Sequence, residues 1–148
     1  MSIVKEKLTI VLAEDDIDDI HLFKLAVEEV LHRIDLIVAE NGSRCMNVLD
    51  SIASACDIVF LDINMPRKNG LQALEEIRQS ENLKNVPVII FTTSDDIRSI
   101  EQTKVLGANI YITKPSFFSS FKKAISHCLA IDWSNFNPAT DQFVLSFN

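Results

Sequence analysis

The chain has 148 residues, of which 47% are hydrophobic and 24% charged, enough for one compact domain with a substantial core. Its net charge of −7 speaks against nucleic acid or an anionic membrane surface as partner, since either rewards a basic face. The three cysteines, Cys45, Cys56 and Cys128, show no CxxC spacing, which argues against a disulfide framework or thiolate zinc site and suits buried thiols in a reducing compartment.

No apolar run approaches the length of a membrane span, and Met1 to Lys7 is too short and polar for a secretory signal, so a cytoplasmic protein is expected. Leu8 to Ala13 is an apolar run ending abruptly in acids, as a strand buried on both faces would. Ile20, Phe23, Val27, Val30 and Leu31 recur at spacings of three and four, the pattern of an amphipathic helix. Ile34 to Ala39 reads as a second strand, closed by the turn signal Asn41-Gly42, and Ser43 to Ala53 as a helix with Met46, Leu49 and Ala53 on one side. Ile58 to Leu61 is a third strand, followed by a loop from Asp62 to Asn69 and a helix from Leu71 to about Ser80. Val86 to Phe91 is a fourth strand. Ile97, Ile100 and Val105 mark a weaker helix, for which Gly107 is the expected C-cap. Ile110 to Ile112 is a fifth strand, and Ser116 to Ala130 a last helix with Phe117, Phe121, Ala124, Ile125 and Cys128 inward.

Five alternations of strand and helix predict an α/β fold with a parallel sheet covered on both faces. Residues 1–131 form one domain on this reading. Residues 132–148 fall outside the pattern, yet Trp133, Phe136, Phe143, Val144, Leu145 and Phe147 make them too apolar for a solvated end. This extension is expected to pack on the domain or on a partner subunit.

In such a sheet, ligands bind beyond the carboxyl ends of the strands. The residues there are Glu14, Asp15 and Asp16 after strand one, Asp62 after strand three, Thr92 and Thr93 after strand four, and Lys114 after strand five. Converging carboxylates repel one another and call for a cation, and an all-oxygen set suits Mg²⁺. A lysine adds a mobile positive charge for a phosphate oxygen. Carboxylate, metal, lysine and hydroxyl are together what phosphoryl transfer to an aspartate needs. Plainer roles exist for each residue alone. Asp15 or Asp16 could be a helix N-cap, Asp18 and Asp19 first-turn acids favoured by the helix dipole, Thr92 a strand-end hydroxyl, and Lys114 a solvated loop charge. Glu40-Asn41 finds no place in the group, and His21, His32 and His127 show no metal-ligand spacing.

Ile10-Val-Leu-Ala-Glu-Asp-Asp16, Asp57-Ile-Val-Phe-Leu-Asp-Ile-Asn-Met-Pro66 with Gly70, Pro87-Val-Ile-Ile-Phe-Thr-Thr93 and Gly107-Ala-Asn-Ile-Tyr-Ile-Thr-Lys-Pro115 resemble, in order and spacing, the receiver domain of two-component response regulators. The resemblance runs from about Leu8 to Ala130. It implies a flavodoxin-like, doubly wound (βα)5 sheet of strand order 2-1-3-4-5. It implies Asp62 as phosphoacceptor from a histidine kinase or phosphotransfer protein, and Asp15, Asp62 and the Asn64 carbonyl as Mg²⁺ ligands, with Glu14 acting through water. Lys114 would contact the acceptor and then the phosphoryl group, over a bond to Pro115 that is cis in many relatives. Thr92 and Tyr111 match the family's switch pair, in which the hydroxyl swings to a phosphate oxygen and the aromatic ring moves inward. Tyr111 could otherwise be a strand aromatic packed half into the surface.

Glu14 departs from the aspartate of chemotaxis-type receivers, and Thr93 stands where a smaller residue is common, which bears on water access and phosphoryl lifetime. The Glu-Asp-Asp start, the Met65-Pro-Arg-Lys-x-Gly70 loop and Thr92-Thr-Ser94 resemble single-domain receivers that partner bacteriophytochrome-like kinases. Too few residues follow the fifth helix for a DNA-binding module, so a stand-alone regulator acting on a downstream protein target is expected. The resemblance puts the kinase on the first helix and the loop before the fifth. It allows a homodimer through helix four, strand five, helix five and the tail. The alternatives are a receiver-like interaction module that takes no phosphate, and an aspartate-nucleophile phosphatase. The latter would need a general acid where Asn64 stands.

Overall fold

The computed structural model describes residues 7–30, 33–66, 68–138 and 140–147, with Ala53 by its backbone. Leu31 and His32, read from sequence at the end of the first helix, lie outside the described residues, as do Met1 to Glu6, Arg67 and the inward side assigned to Ala53.

The elements follow in chain order: β1 (Lys7–Ala13), α1 (Ile17–Glu28), β2 (Arg33–Ala39), α2 (Gly42–Ile52), β3 (Ile58–Leu61), α3 (Gly70–Gln79), β4 (Val88–Thr92), α4 (Ile97–Val105), β5 (Ile110–Thr113), α5 (Phe118–Ala130) and β6 (Val144–Leu145). The strands form one parallel sheet in the order β2-β1-β3-β4-β5-β6. This is the expected 2-1-3-4-5 order with a strand added at the β5 edge. A bare edge leaves backbone donors and acceptors unpaired. Here Tyr111 N–H donates to the Phe143 carbonyl at 2.8 Å, and Val144 and Leu145 lie in register with Tyr111 and Ile112.

Strand periodicity splits the core in two. Ile10, Leu12, Ile58, Phe60, Ile89, Phe91, Ile110 and Ile112 face the layer of α1 and α5, while Val11, Ala13, Val59, Leu61, Val88, Ile90 and Tyr111 face α2, α3 and α4. On the first side Phe23, Phe60, Phe91 and Phe121 meet edge to face, with centroids 4.9–6.5 Å apart. Each such ring stabilises the fold by roughly 2–3 kcal/mol through burial alone. The tail reaches both sides: Phe143 and Val144 pack on one core, Trp133, Phe136, Leu145 and Phe147 on the other. The three cysteines are buried, and burial pushes the Cys45, Cys56 and Cys128 thiols up to about 12, 11 and 12.

Element ends differ from the sequence reading by a residue or two, for local reasons. α1 ends at Glu28, with Val30 N–H still bonded back to Val27. β4 begins at Val88, since Pro87 has no N–H to give, although its carbonyl accepts from Val59. Gly107, with φ of +101°, ends α4 as the sequence suggested. Asn41, read from sequence as part of the turn after β2, accepts from Arg44 N–H at 2.8 Å and so caps the start of α2.

Candidate functional site

The parallel register brings the carboxyl ends of β1, β3, β4 and β5 to one edge. Asp62 N–H is tied to the Ala13 carbonyl at 3.0 Å, and Lys114 N–H to the Thr92 carbonyl at 2.7 Å, so backbone bonds alone set the strand tips side by side. Behind Asp62 the start of α3 passes so close that a Cβ on Gly70 would lie 2.4 Å from the Asp62 carbonyl oxygen. Any larger residue there would displace the acceptor.

Both oxygens of the buried Asp62 carboxylate are held. Oδ1 accepts from Asn64 N–H at 3.0 Å and from the Thr92 hydroxyl at 2.8 Å. Oδ2 accepts from Lys114 Nζ at 3.0 Å. Glu14, also buried, accepts from Lys114 through Oε1 and from the Asp15 and Asp16 amides through Oε2 at 3.1 and 3.3 Å. Asp16 is the N-cap of α1, accepting from Asp19 N–H at 3.0 Å. Asp15 is thereby left to the site, exposed and lining a cleft of about 640 Å³ with Ile17, Ile20, Glu40 and Arg44.

Burial pushes the Glu14 carboxyl up to about 7; the Lys114 contact pulls it back only in part, and the Asp62 charge adds to the rise. For Lys114, burial alone would lower the ammonium. Its bonds to Asp19 and Glu14 and the nearby Asp62 charge outweigh burial and hold it above its usual range.

One oxygen from each of Glu14, Asp15 and Asp62 lies within 4.8 Å of the others. Hard carboxylate donors at this spacing, with a cleft for waters beside them, fit a small divalent cation of the Mg²⁺ type.

Tyr111 is fully buried, not half in the surface, and its hydroxyl donates to the Ser94 carbonyl at 2.6 Å. This is the inward position that the resemblance assigns to a switched ring. Phe143 flanks it at 6.3 Å between centroids. Burial, then the charges of Asp96, Asp95 and Asp62, push its phenol up to about 12. Thr93 is exposed. There is no cis peptide bond among the described residues, so Lys114 reaches the acids over a trans bond to Pro115.

Glu14, Asp15, Asp62, Thr92 and Lys114 are thus brought together, and Tyr111 is buried with its hydroxyl on the Ser94 carbonyl. Two residues were missed from sequence. Asp19, read as a first-turn acid, bonds Lys114 Nζ at 2.8 Å across 95 residues of chain. Ser94 links two others, its hydroxyl accepting from Asn64 Nδ2 at 2.7 Å and its carbonyl from Tyr111. Asp19 stands one helical turn after the Asp16 cap, where an acid is ordinary, so its spacing carries no sign of the distant lysine.

Comparison with known proteins follows the same lines. The family described as "Response regulator receiver domain" matches residues 10–126. Response regulator Rcp1 of Synechocystis is 30% identical over 110 residues, covering 71% of this chain and 75% of the relative. Protein PilH of Pseudomonas aeruginosa is 34% identical over 113 residues, covering 74% and 88%. Among solved structures, the phosphorylated cyanobacterial phytochrome response regulator RcpA superposes with a TM-score of 0.79 at 28% identity, covering 88% of this chain and 96% of that one. The Mn²⁺-bound form of Rcp1 gives 0.76 at 25%, covering 88% and 97%.

Proposed function

The chain belongs to the response regulator receiver domain family, and on that premise we propose that it accepts a phosphoryl group from a histidine kinase onto Asp62 and signals by changing its protein contacts. One observation carries the reading: a single buried carboxylate has a hydroxyl and an amide on one oxygen and an ammonium on the other, with two further acids alongside.

Asp62 supplies the attacking oxygen. An O–P bond forms while the P–N bond of the donor phosphohistidine breaks, and the electron pair returns to the imidazole nitrogen. Lys114 neutralises charge on the phosphoryl oxygens, and the Thr92 hydroxyl turns from Oδ1 to one of them. Asp15, Asp62 and the Asn64 carbonyl would hold Mg²⁺, with Glu14 acting through water; when bound, the ion supplies Lewis-acid neutralisation of the same oxygens. The Mn²⁺-bound relative supports a divalent ion here. The chemistry is self-directed, phosphotransfer to Asp62 and its later hydrolysis, with no turnover of outside substrates.

The phytochrome response regulator among the relatives supports a photoreceptor kinase as donor. Ile17 at the start of α1 and Phe117, which the sequence placed inward but which stands exposed as the N-cap of α5, support that face as its docking surface. A homodimer on the α4, β5 and α5 side would meet β6, because the β5 edge is already paired.

The test is incubation with acetyl phosphate and Mg²⁺ followed by intact mass. An acid-stable, base-labile phosphoryl adduct on the wild type, absent from Asp62→Asn, is expected. No adduct on either protein would instead favour an interaction module that takes no phosphate.

A further inference from the structure

The Lys114 ammonium has three N–H donors, and three carboxylates take them: Glu14, Asp19 at 2.8 Å and Asp62 at 3.0 Å. These acceptors are not equivalent. Glu14 and Asp62 belong to the oxygen cluster suited to a divalent cation, whereas Asp19 lies outside it. The Glu14 side chain is only 2% exposed and that of Asp62 7%, while Asp19 is 24% exposed at the first turn of α1. Lys114 therefore neutralises, for two of the cluster's acids, the charge that a metal ion would neutralise.

A metal ion and an ammonium drawn to the same carboxylates repel each other, and at a buried site the repulsion is only weakly screened. Lys114 must loosen its hold on Glu14 and Asp62 when a divalent cation is bound, yet stay near enough to meet a phosphoryl oxygen. A flexible four-carbon stem leaves the ammonium many places to go, and an anion at the rim of the site favours one of them. Asp19 is an anion already in contact with Nζ.

We propose that Asp19 is a positioning residue: it holds the Lys114 ammonium at the rim of the site when Glu14, Asp15 and Asp62 take a divalent cation, so that both positive charges flank the acceptor together. The inference rests on the phosphoacceptor reading for its purpose, but its first consequence, on cation binding, needs no phosphoryl donor. Removing Asp19 leaves Lys114 competing with the cation for Glu14 and Asp62.

The experiment is a double-mutant cycle on the full chain, with Mg²⁺ and Mn²⁺ affinities measured by calorimetry and folding checked by circular dichroism. Asp19→Asn is expected to weaken cation binding by about fivefold, the upper range for a partly exposed pair. Asp19→Glu restores it. Lys114→Met alone tightens binding, and on that background Asp19→Asn changes affinity by less than about twofold. Wild-type affinity in Asp19→Asn overturns the inference. So does an equal loss with and without Lys114, which would make Asp19 only a distant negative charge, and so does a wild type that binds neither cation. Acetyl phosphate labelling in parallel separates the two readings. Coupling between Asp19 and Lys114 in a protein that takes no phosphoryl group would sink the function and keep the positioning role. Labelling on Asp62 without coupling would do the reverse.

Discussion

The Thr92 hydroxyl donates a 2.8 Å hydrogen bond to Oδ1 of Asp62, from the last residue of β4 to the first residue beyond β3. Paired with the Lys114 contact on Oδ2, it fixes the carboxylate at both oxygens.

Thr92→Ala removes one of the two donors on Oδ1 and leaves the Asn64 amide. A hydrogen bond to a charged group contributes about 1.5–3 kcal/mol. Labelling of Asp62 by acetyl phosphate should still occur, about ten- to a hundredfold more slowly, because the hydroxyl no longer meets a phosphoryl oxygen in the transition state. Stopped samples analysed by intact mass would measure it, and a wild-type rate in Thr92→Ala would remove the hydroxyl from the mechanism.

Lys114→Met strips the cation from buried Glu14 and Asp62 while keeping the length of the side chain. Breaking a buried pair from one side costs about 3 kcal/mol or more, because the remaining charges lose their partner. In metal-free buffer the urea midpoint should fall accordingly, and millimolar Mg²⁺ should restore much of it by binding the same acids. A loss that Mg²⁺ leaves untouched would mean that the lysine stabilises the fold independently of the acid cluster.

The α/β alternation was legible in the sequence because β3, β4 and the second half of β1 are buried on both faces and therefore almost wholly apolar. The four strand-end groups were legible because a parallel sheet puts every carboxyl end on one edge. The role of Asp19 was hidden, since nothing local distinguishes a first-turn acid that balances the helix dipole from one that meets a lysine on a distant strand. The sixth strand was hidden for another reason. Val144 and Leu145 are too short a pair to show any period, and only the free edge of β5 gives them a strand to join.

Cation binding should depend on pH through Glu14. Its carboxyl, lifted by burial to about 7, is largely protonated and uncharged below that pH, where an ordinary carboxylate is ionised. A cation drawn to the cluster must expel this proton. Affinity therefore levels off above about pH 7 and falls by up to about tenfold per unit as the pH drops below it. Glu14→Gln should flatten the curve over this window. Calorimetry in buffers of different ionisation enthalpy would also report the released proton, and its absence at pH 6 would place the proton elsewhere.

The tail offers a test that needs no ligand. The Tyr111 amide donates to the Phe143 carbonyl, the ring of Phe143 stands 6.3 Å from that of Tyr111, and the Lys104 ammonium from α4 lies 5.8 Å from the Phe143 centroid. Deleting residues 132–148 would turn the Tyr111 N–H to solvent on the β5 edge. It would also uncover apolar surface on both cores, lowering stability by about 2–4 kcal/mol. Phe143→Ala should remove the ring contacts and keep the backbone pairing, at a cost of about 1–2 kcal/mol for a half-buried aromatic. Hydrogen exchange separates the two variants. The Tyr111 amide should lose its protection on deletion and keep most of it in Phe143→Ala, because the strand pairing survives. Equal protection in wild type and deletion would show that β6 does not hold the β5 edge in solution.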